Sequence, residues 1–214
     1  TFMVDLKEGV RTVWHIKWIF ALIATTSFQL MFIVGVESVL LPVITRREFE
    51  TNNVFALSAS VFSLGAIIGA LLSLRLKIKH QGQFCILVFA LLSTTTLALA
   101  FPFSQYIVIG AYFLAGLSVG PWEAWWSSAV QREVPAHLQG RVFSIDHMGS
   151  AGLMPIGMAL IGPAVAFFGE KELLIGASIF HVLITFAILG VPGVKDMKMP
   201  KKEIDTNYSN GEHK

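Results

Sequence analysis

The stretch His80-QGQFCILVFALLSTTTLALAFPFSQYIVIGAYFLAGLSVGP-Trp122 decides the fold class, because its 43 residues include no Asp, Glu, Lys or Arg. A helix rising 1.5 Å per residue crosses a hydrocarbon core of roughly 30 Å in about 20 residues, so the run holds two crossings. The divide falls at Phe101-Pro-Phe-Ser-Gln105, where Pro102 disfavours helix in the residue before it. Working outward, charge-free runs cover Trp18 to Val36 (19 residues), Thr51 to Leu74 (24), His147 to Gly169 (23) and Leu173 to Val194 (22). Each is one crossing, which makes six. A hydrophobic fraction of 54%, with only 14% charged residues and a mean hydropathy of +0.67, is too apolar for a soluble domain of this length. The reading is an all-α membrane protein, a six-transmembrane-helix bundle.

Charge supplies the orientation. With both ends cytoplasmic, the inner segments hold Lys7, Arg11, Lys17, Arg75, Lys77, Lys79, Arg132, Arg141, Lys195, Lys198, Lys201, Lys202 and Lys214, and only Arg46, Arg47 and Lys171 lie outside. That is thirteen of sixteen basic residues on one side, as the positive-inside rule expects of a plasma-membrane protein with both termini in the cytoplasm. The expected organisation is a linker and interfacial helix over 1–16, the bundle over 17–193 and a basic tail over 194–214. In the first of these, Leu6, Val10 and Val13 share a face, and Trp14 and Trp18 are expected at headgroup level. The single Cys85 provides neither a disulfide frame nor a thiolate site. The chain opens at Thr1 with no visible signal peptide, and it reads as a fragment or one half of something larger.

The expected crossings run roughly over 17–44, 54–76, 80–101, 105–131, 142–168 and 173–191, with a longer inner connection from Arg132 to Arg141. In the second, Gly65, Gly69 and Ser73 recur every four residues, a spacing that lets another helix backbone come close. The fifth is rich in breakers, among them Pro155 and Pro163, which membrane helices tolerate where neighbours satisfy the freed backbone groups.

Ionisable groups within a bilayer are costly and therefore informative. Glu37 lies nine residues before Arg46, about 13 Å along a helix, on one face with Thr26, Gln29 and Ile33. Two readings stand: a polar stripe facing a water-filled cavity, or a carboxylate hydrogen-bonded near the outer interface. Glu123 lies as far from Arg132 and directly follows Gly120-Pro121-Trp122, where a kink and a polar opening are expected. It shares a helical face with Tyr112, Gly116 and Ser127, and a carboxyl group in such a site is suited to exchanging protons. Trp122, Trp125 and Trp126 read either as an aromatic belt at the interface or, for Trp122, as a wall favouring a cationic or aromatic ligand. Asp146 is expected at the start of the fifth crossing, where the helix macrodipole alone accounts for an acid. A cytoplasmic gate joining Asp146 to basic residues such as Arg132 and Arg141 is the alternative. His181 reads as a packing histidine in the last crossing. No nucleotide-binding loop, metal-ligand spacing or nucleophile motif stands out, so no cofactor and no enzymatic activity are expected. The basic loops are too short for nucleic-acid binding.

The segment Gln131-Arg132-Glu133-Val134-Pro135 followed by Gly140-Arg141-Val142-Phe143-Ser144 resembles the loop between the tenth and eleventh helices in the macrolide-efflux-like and enterobactin-exporter-like branch of the major facilitator superfamily. Asp5-Leu-Lys-Glu-Gly-Val-Arg11 is similar to the segment before the seventh helix there. The resemblance covers about Asp5 to Val194 and implies the carboxy-terminal six-helix half of a twelve-helix transporter. One departure is plain. The superfamily's loop between the eighth and ninth helices carries an acid between its glycines, whereas no acid lies between Gly69 and Gly82. The loop keeps its basic, topology-setting Arg75 and Lys77 and lacks the acid of a charge relay.

The resemblance further implies that the first and fourth crossings, bearing Glu37 and Glu123, line a central cavity, and that the sixth is an outer helix. The expected function is a secondary active transporter, a proton-coupled exporter of amphiphilic small molecules working by alternating access. Its partners would be the small-molecule substrate, protons, the lipid bilayer and the missing amino-terminal half. Glu123 leads as the site of proton coupling or substrate binding, then Glu37, with Tyr112, Trp122 and Gln29 around them. A lysophospholipid or siderophore carrier, and a non-transporting six-helix scaffold, are the alternatives.

Overall fold

The computed structural model describes residues 13–14, 16–76 and 78–197. The interfacial helix expected over 1–16 falls almost wholly outside the described residues, as do Lys77 and the tail from 198. Six helical spans form, each long and apolar enough to cross a membrane: Lys17–Phe49, Asn53–Ser73, Gln81–Ala100, Gln105–Glu133, Ala136–Phe168 and Glu170–Gly190. Among the described residues there is no strand. An even number of spans puts the first and last ends together, so the bundle has a near end, with Lys17, Arg75, Arg132 and Val194, and a far end, with Phe49, Phe103 and Glu170.

Local chemistry places the breaks. Ser104 caps the fourth span by accepting the Tyr106 N–H at 3.3 Å. Gly169, at φ +92°, makes the tight turn between the fifth and sixth spans, a conformation that suits glycine. The first span ends later than its charges suggest. It runs through Pro42 to Phe49, where Glu50 adopts the left-handed region at φ 53°. Its 33 residues would extend about 50 Å, more than the hydrocarbon core requires, so Arg46 and Arg47 ride on a helical extension beyond it. The long inner connection expected from Arg132 to Arg141 is corrected to Val134 and Pro135 alone, since the fifth span begins at Ala136. Proline at a helix start loses no hydrogen bond and presets φ, and Ala136-His-Leu-Gln139 follows readily.

The third span is not one regular helix. Gln81–Phe89 and Ser93–Ala100 are joined by a 3-10 turn at Ala90–Leu92. The hydroxyls of Ser93, Thr94 and Thr95 each reach back three residues to the carbonyls of Ala90, Leu91 and Leu92, all at 2.7 Å. These side-chain bonds compensate the poorer backbone geometry of such a turn.

Small residues set the packing. The second span lies along the fourth, and the first along the fifth. A Cβ added at Gly65 or Gly69 would strike the carbonyls of Phe113 or Leu117, and one at Gly116 or Gly120 would strike those of Phe62 or Ala66. The contact is thus reciprocal, one glycine pair four residues apart on each helix. Two apolar cores result, a near-end one around Trp18, Cys85, Phe89 and Val130 and a far-end one around Leu40, Ile44, Leu99 and Leu174. Trp18, expected at headgroup level, is wholly buried against the protein, edge-on to Trp126, whereas Trp14 is exposed. After the sixth span the chain folds back across the near end. Lys195 C=O accepts the Gln83 N–H at 2.8 Å, Met197 C=O accepts from Arg132 Nη2 at 2.9 Å, and Asp196 pairs with His80 at 2.7 Å. Gly82 admits this strap, because a side chain there would meet the Val194 carbonyl.

Candidate functional site

Two polar centres form, one in each half of the bundle: Glu37 of the far one is buried, whereas Glu123 and His147 of the near one are exposed and Asp146 is half-buried. The near one is a cavity of about 240 Å³ between the first, third, fourth and fifth spans. Glu123 and Asp146 both line it, with Thr26, Ser127, His147 and Ser150. Trp126 Nε1 donates to Asp146 Oδ2 at 2.9 Å, which fixes the acid's orientation. The aromatic wall is built by stacking: Trp122 lies parallel to Trp126 with centroids 6.3 Å apart, and Phe89 stacks on Trp122 at 4.9 Å. Two larger depressions, of about 360 and 680 Å³, have predominantly apolar linings with no acidic residue.

The tryptophans are 7%, 7% and 4% exposed in the order 122, 125, 126, which excludes the interfacial-belt reading, since belt rings must reach the headgroups. Trp125 faces away from the acids, edge-on to Phe84 at 5.8 Å. Asp146 requires a second correction. The fifth span starts ten residues before it, so the macrodipole of that helix terminus does not account for its charge. Nor does Pro121 break the fourth span, which is helical from Gln105 to Glu133; the opening beside Glu123 comes from the neighbouring spans.

The far centre forms around Glu37, which is 8% exposed. The Thr95 hydroxyl bonds its carboxyl group. Tyr112 lies beside the same carboxyl, and its buried hydroxyl has no hydrogen-bond partner of good geometry. The structure thus places Tyr112 with Glu37 and not with Glu123; eleven residues separate the two on the fourth span, about 16 Å along its axis.

The remaining candidates are placed elsewhere. Gln29 turns to the sixth span, where its Nε2 donates to Thr185 Oγ1 at 2.8 Å and to His181 C=O at 3.3 Å. His181 is fully buried, with Nε2 3.0 Å from the Phe89 carbonyl and Nδ1 buried without a hydrogen-bond partner, so the packing histidine is only half satisfied. Arg132 reaches Glu133 at 3.1 Å and the strap at Met197, and the bond recorded for Asp146 comes from Trp126. Arg141 lies one turn into the fifth span, five residues before Asp146. Two polar residues of these centres were not foreseen, Thr95 and Ser150. The run Ser93-Thr-Thr-Thr96 was the signal for Thr95, and the spacing of Ser150 four residues after Asp146, on the same helical face, the signal for Ser150.

The chain belongs to the Major Facilitator Superfamily, whose family profile matches residues 4–158. It is 24% identical over 206 residues to "Multidrug efflux pump Tap" of Mycolicibacterium fortuitum, covering 94% of this chain and 49% of that protein. The same identity and coverage of this chain hold for the proteins of that name in Mycobacterium tuberculosis (strain ATCC 25618 / H37Rv) and Mycobacterium bovis (strain BCG / Pasteur 1173P2), each covered to 48%. The chain therefore spans about half the length of the curated relatives it matches. No solved structure matches it.

Proposed function

We propose that this member of the superfamily is the carboxy-terminal half of a twelve-helix secondary exporter, proton-coupled and acting on amphiphilic small molecules by alternating access. The observation that carries the reading is the pair Glu123 and Asp146 in one cavity walled by Trp122, Trp126 and Phe89. Carboxylates at membrane depth are costly unless they bind a proton or a cation, and a cavity gives both access. The aromatic faces supply apolar contact and favour cationic groups, so a molecule with an apolar body and a basic head is the best fit. At about 240 Å³ the cavity is smaller than the roughly 300–1,000 Å³ usual for drug-sized ligands. That supports a site completed by a facing bundle, as does the half-length coverage of relatives named as efflux pumps. The near end is cytoplasmic in this account and the membrane is the plasma membrane, on the strength of the thirteen-to-three basic split.

The test is pH-gradient-driven efflux by the twelve-helix protein in liposomes. Protonation and amide substitution both remove the carboxylate's charge, so Glu123→Gln is expected to preserve insertion and folding while abolishing proton-driven transport. Wild-type pH-dependent efflux by the Glu123→Gln protein contradicts the assignment.

A further inference from the structure

We propose that Glu37, Thr95 and Tyr112 form a second proton-binding site, sealed within the far half of the bundle and separate from the cavity of Glu123 and Asp146. As a proton site it stands on geometry; its use in transport rests on the reading above.

Three observations converge. First, the neighbours are neutral. Glu37 on the first span meets the hydroxyl of Thr95 from the third and the phenol of Tyr112 from the fourth, and among the described residues no ion pair is recorded for it. Arg46, the first basic residue toward the far end, is nine positions on, about 13 Å along the helix. A buried carboxylate with no cation is held much less favourably than a carboxylic acid.

Second, the protons can be counted. A threonine hydroxyl has one proton to donate. The Thr95 oxygen lies 2.7 Å from the Leu92 carbonyl, which only accepts, and also within bonding distance of Glu37. Both contacts are made in full when Thr95 donates to Leu92 and the Glu37 carboxyl supplies the other proton. The buried Tyr112 hydroxyl, unpartnered, remains free to donate to the same group.

Third, Glu37 is buried and lines none of the three depressions described above, which suits a proton better than a substrate. Loss of that proton has a structural consequence. The single Thr95 proton must then turn to the carboxylate and leave the Leu92 carbonyl, at the end of the 3-10 turn Ala90–Leu92. The third span is thereby informed of the protonation state of the first at its most irregular point. The fourth span links the two centres, with Tyr112 at one and Glu123 at the other.

Infrared spectroscopy of the twelve-helix protein in lipid reads the site directly. At neutral pH a carbonyl band of a protonated carboxyl should be present, vanish in Glu37→Gln, shift in Thr95→Val and Tyr112→Phe, and persist in Glu123→Gln. An unchanged band pattern in Glu37→Gln, or, if that variant does not fold, in Thr95→Val, overturns the proposal. Efflux separates the two claims. Glu37→Gln should bind substrate as wild type does and export it with a weakened dependence on pH. A wild-type pH profile overturns the role of this site in coupling and leaves the proposed function, which Glu123→Gln tests, untouched.

Discussion

Trp126 joins the aromatic wall to the acids, stacking on Trp122 through its ring while its N–H holds Asp146. Hydrogen bonds to charged groups contribute about 1.5–3 kcal/mol, equivalent to roughly ten- to a hundredfold in an equilibrium. Trp126→Phe keeps the ring and deletes the donor, so apparent substrate affinity is expected to fall by about tenfold with folded yield nearly unchanged. Transport KM alongside size-exclusion behaviour checks this, and an unaltered KM contradicts it. At this scale the acids were legible in the sequence, because charge inside an apolar run is conspicuous. Their company was less so. Tyr112 and Glu123 share a helical face, but angular position alone does not show that about 16 Å of helix lies between them. Thr95 was hidden because hydroxyls in a membrane helix usually bond their own backbone, and this one does so as well.

Between elements, close backbone approach at Gly65, Gly69, Gly116 and Gly120 locks the second span to the fourth and so fixes the helix that carries both Tyr112 and Glu123. Gly116→Ala places a methyl group against the Phe62 carbonyl, whereas Gly110→Ala meets nothing within 4 Å. The first is expected to cost on the order of 1–3 kcal/mol through overpacking. The second should be neutral or slightly stabilising through helix propensity. Thermal unfolding in detergent distinguishes them, and equal melting temperatures contradict the packing account. One side of this contact was legible, since Gly65, Gly69 and Ser73 announce a close neighbour, though which helix it is follows only from the tertiary arrangement. Element ends were read from charge, and they missed where helix-forming residues carry basic groups along. Arg46 and Arg47 in the first span, Arg132 in the fourth, Arg141 in the fifth and Lys171 in the sixth are the instances.

For the whole molecule, six spans put the start of the first and the end of the last at the same end of the bundle, and the span count was legible in the sequence because length and charge-free runs decide it. Sidedness is testable. With Cys85→Ala as background, Lys79→Cys should resist an impermeant thiol reagent in sealed cells and react after permeabilisation, while Lys171→Cys should react at once. The reverse pattern inverts the orientation. What the chain's own sequence could not give is whether an exposed face meets lipid or the proposed facing bundle, because surfaces built for either are apolar. The fifth span shows this, with Met148, Ile156 and Leu160 exposed. If, as proposed, the acidic cavity works only when a facing bundle closes it, one reconstitution measures this. Liposomes holding this 214-residue chain alone should show no gradient-driven export, and those holding it together with its amino-terminal half should show export abolished by Glu123→Gln. Robust transport by the purified, monomeric chain contradicts the account.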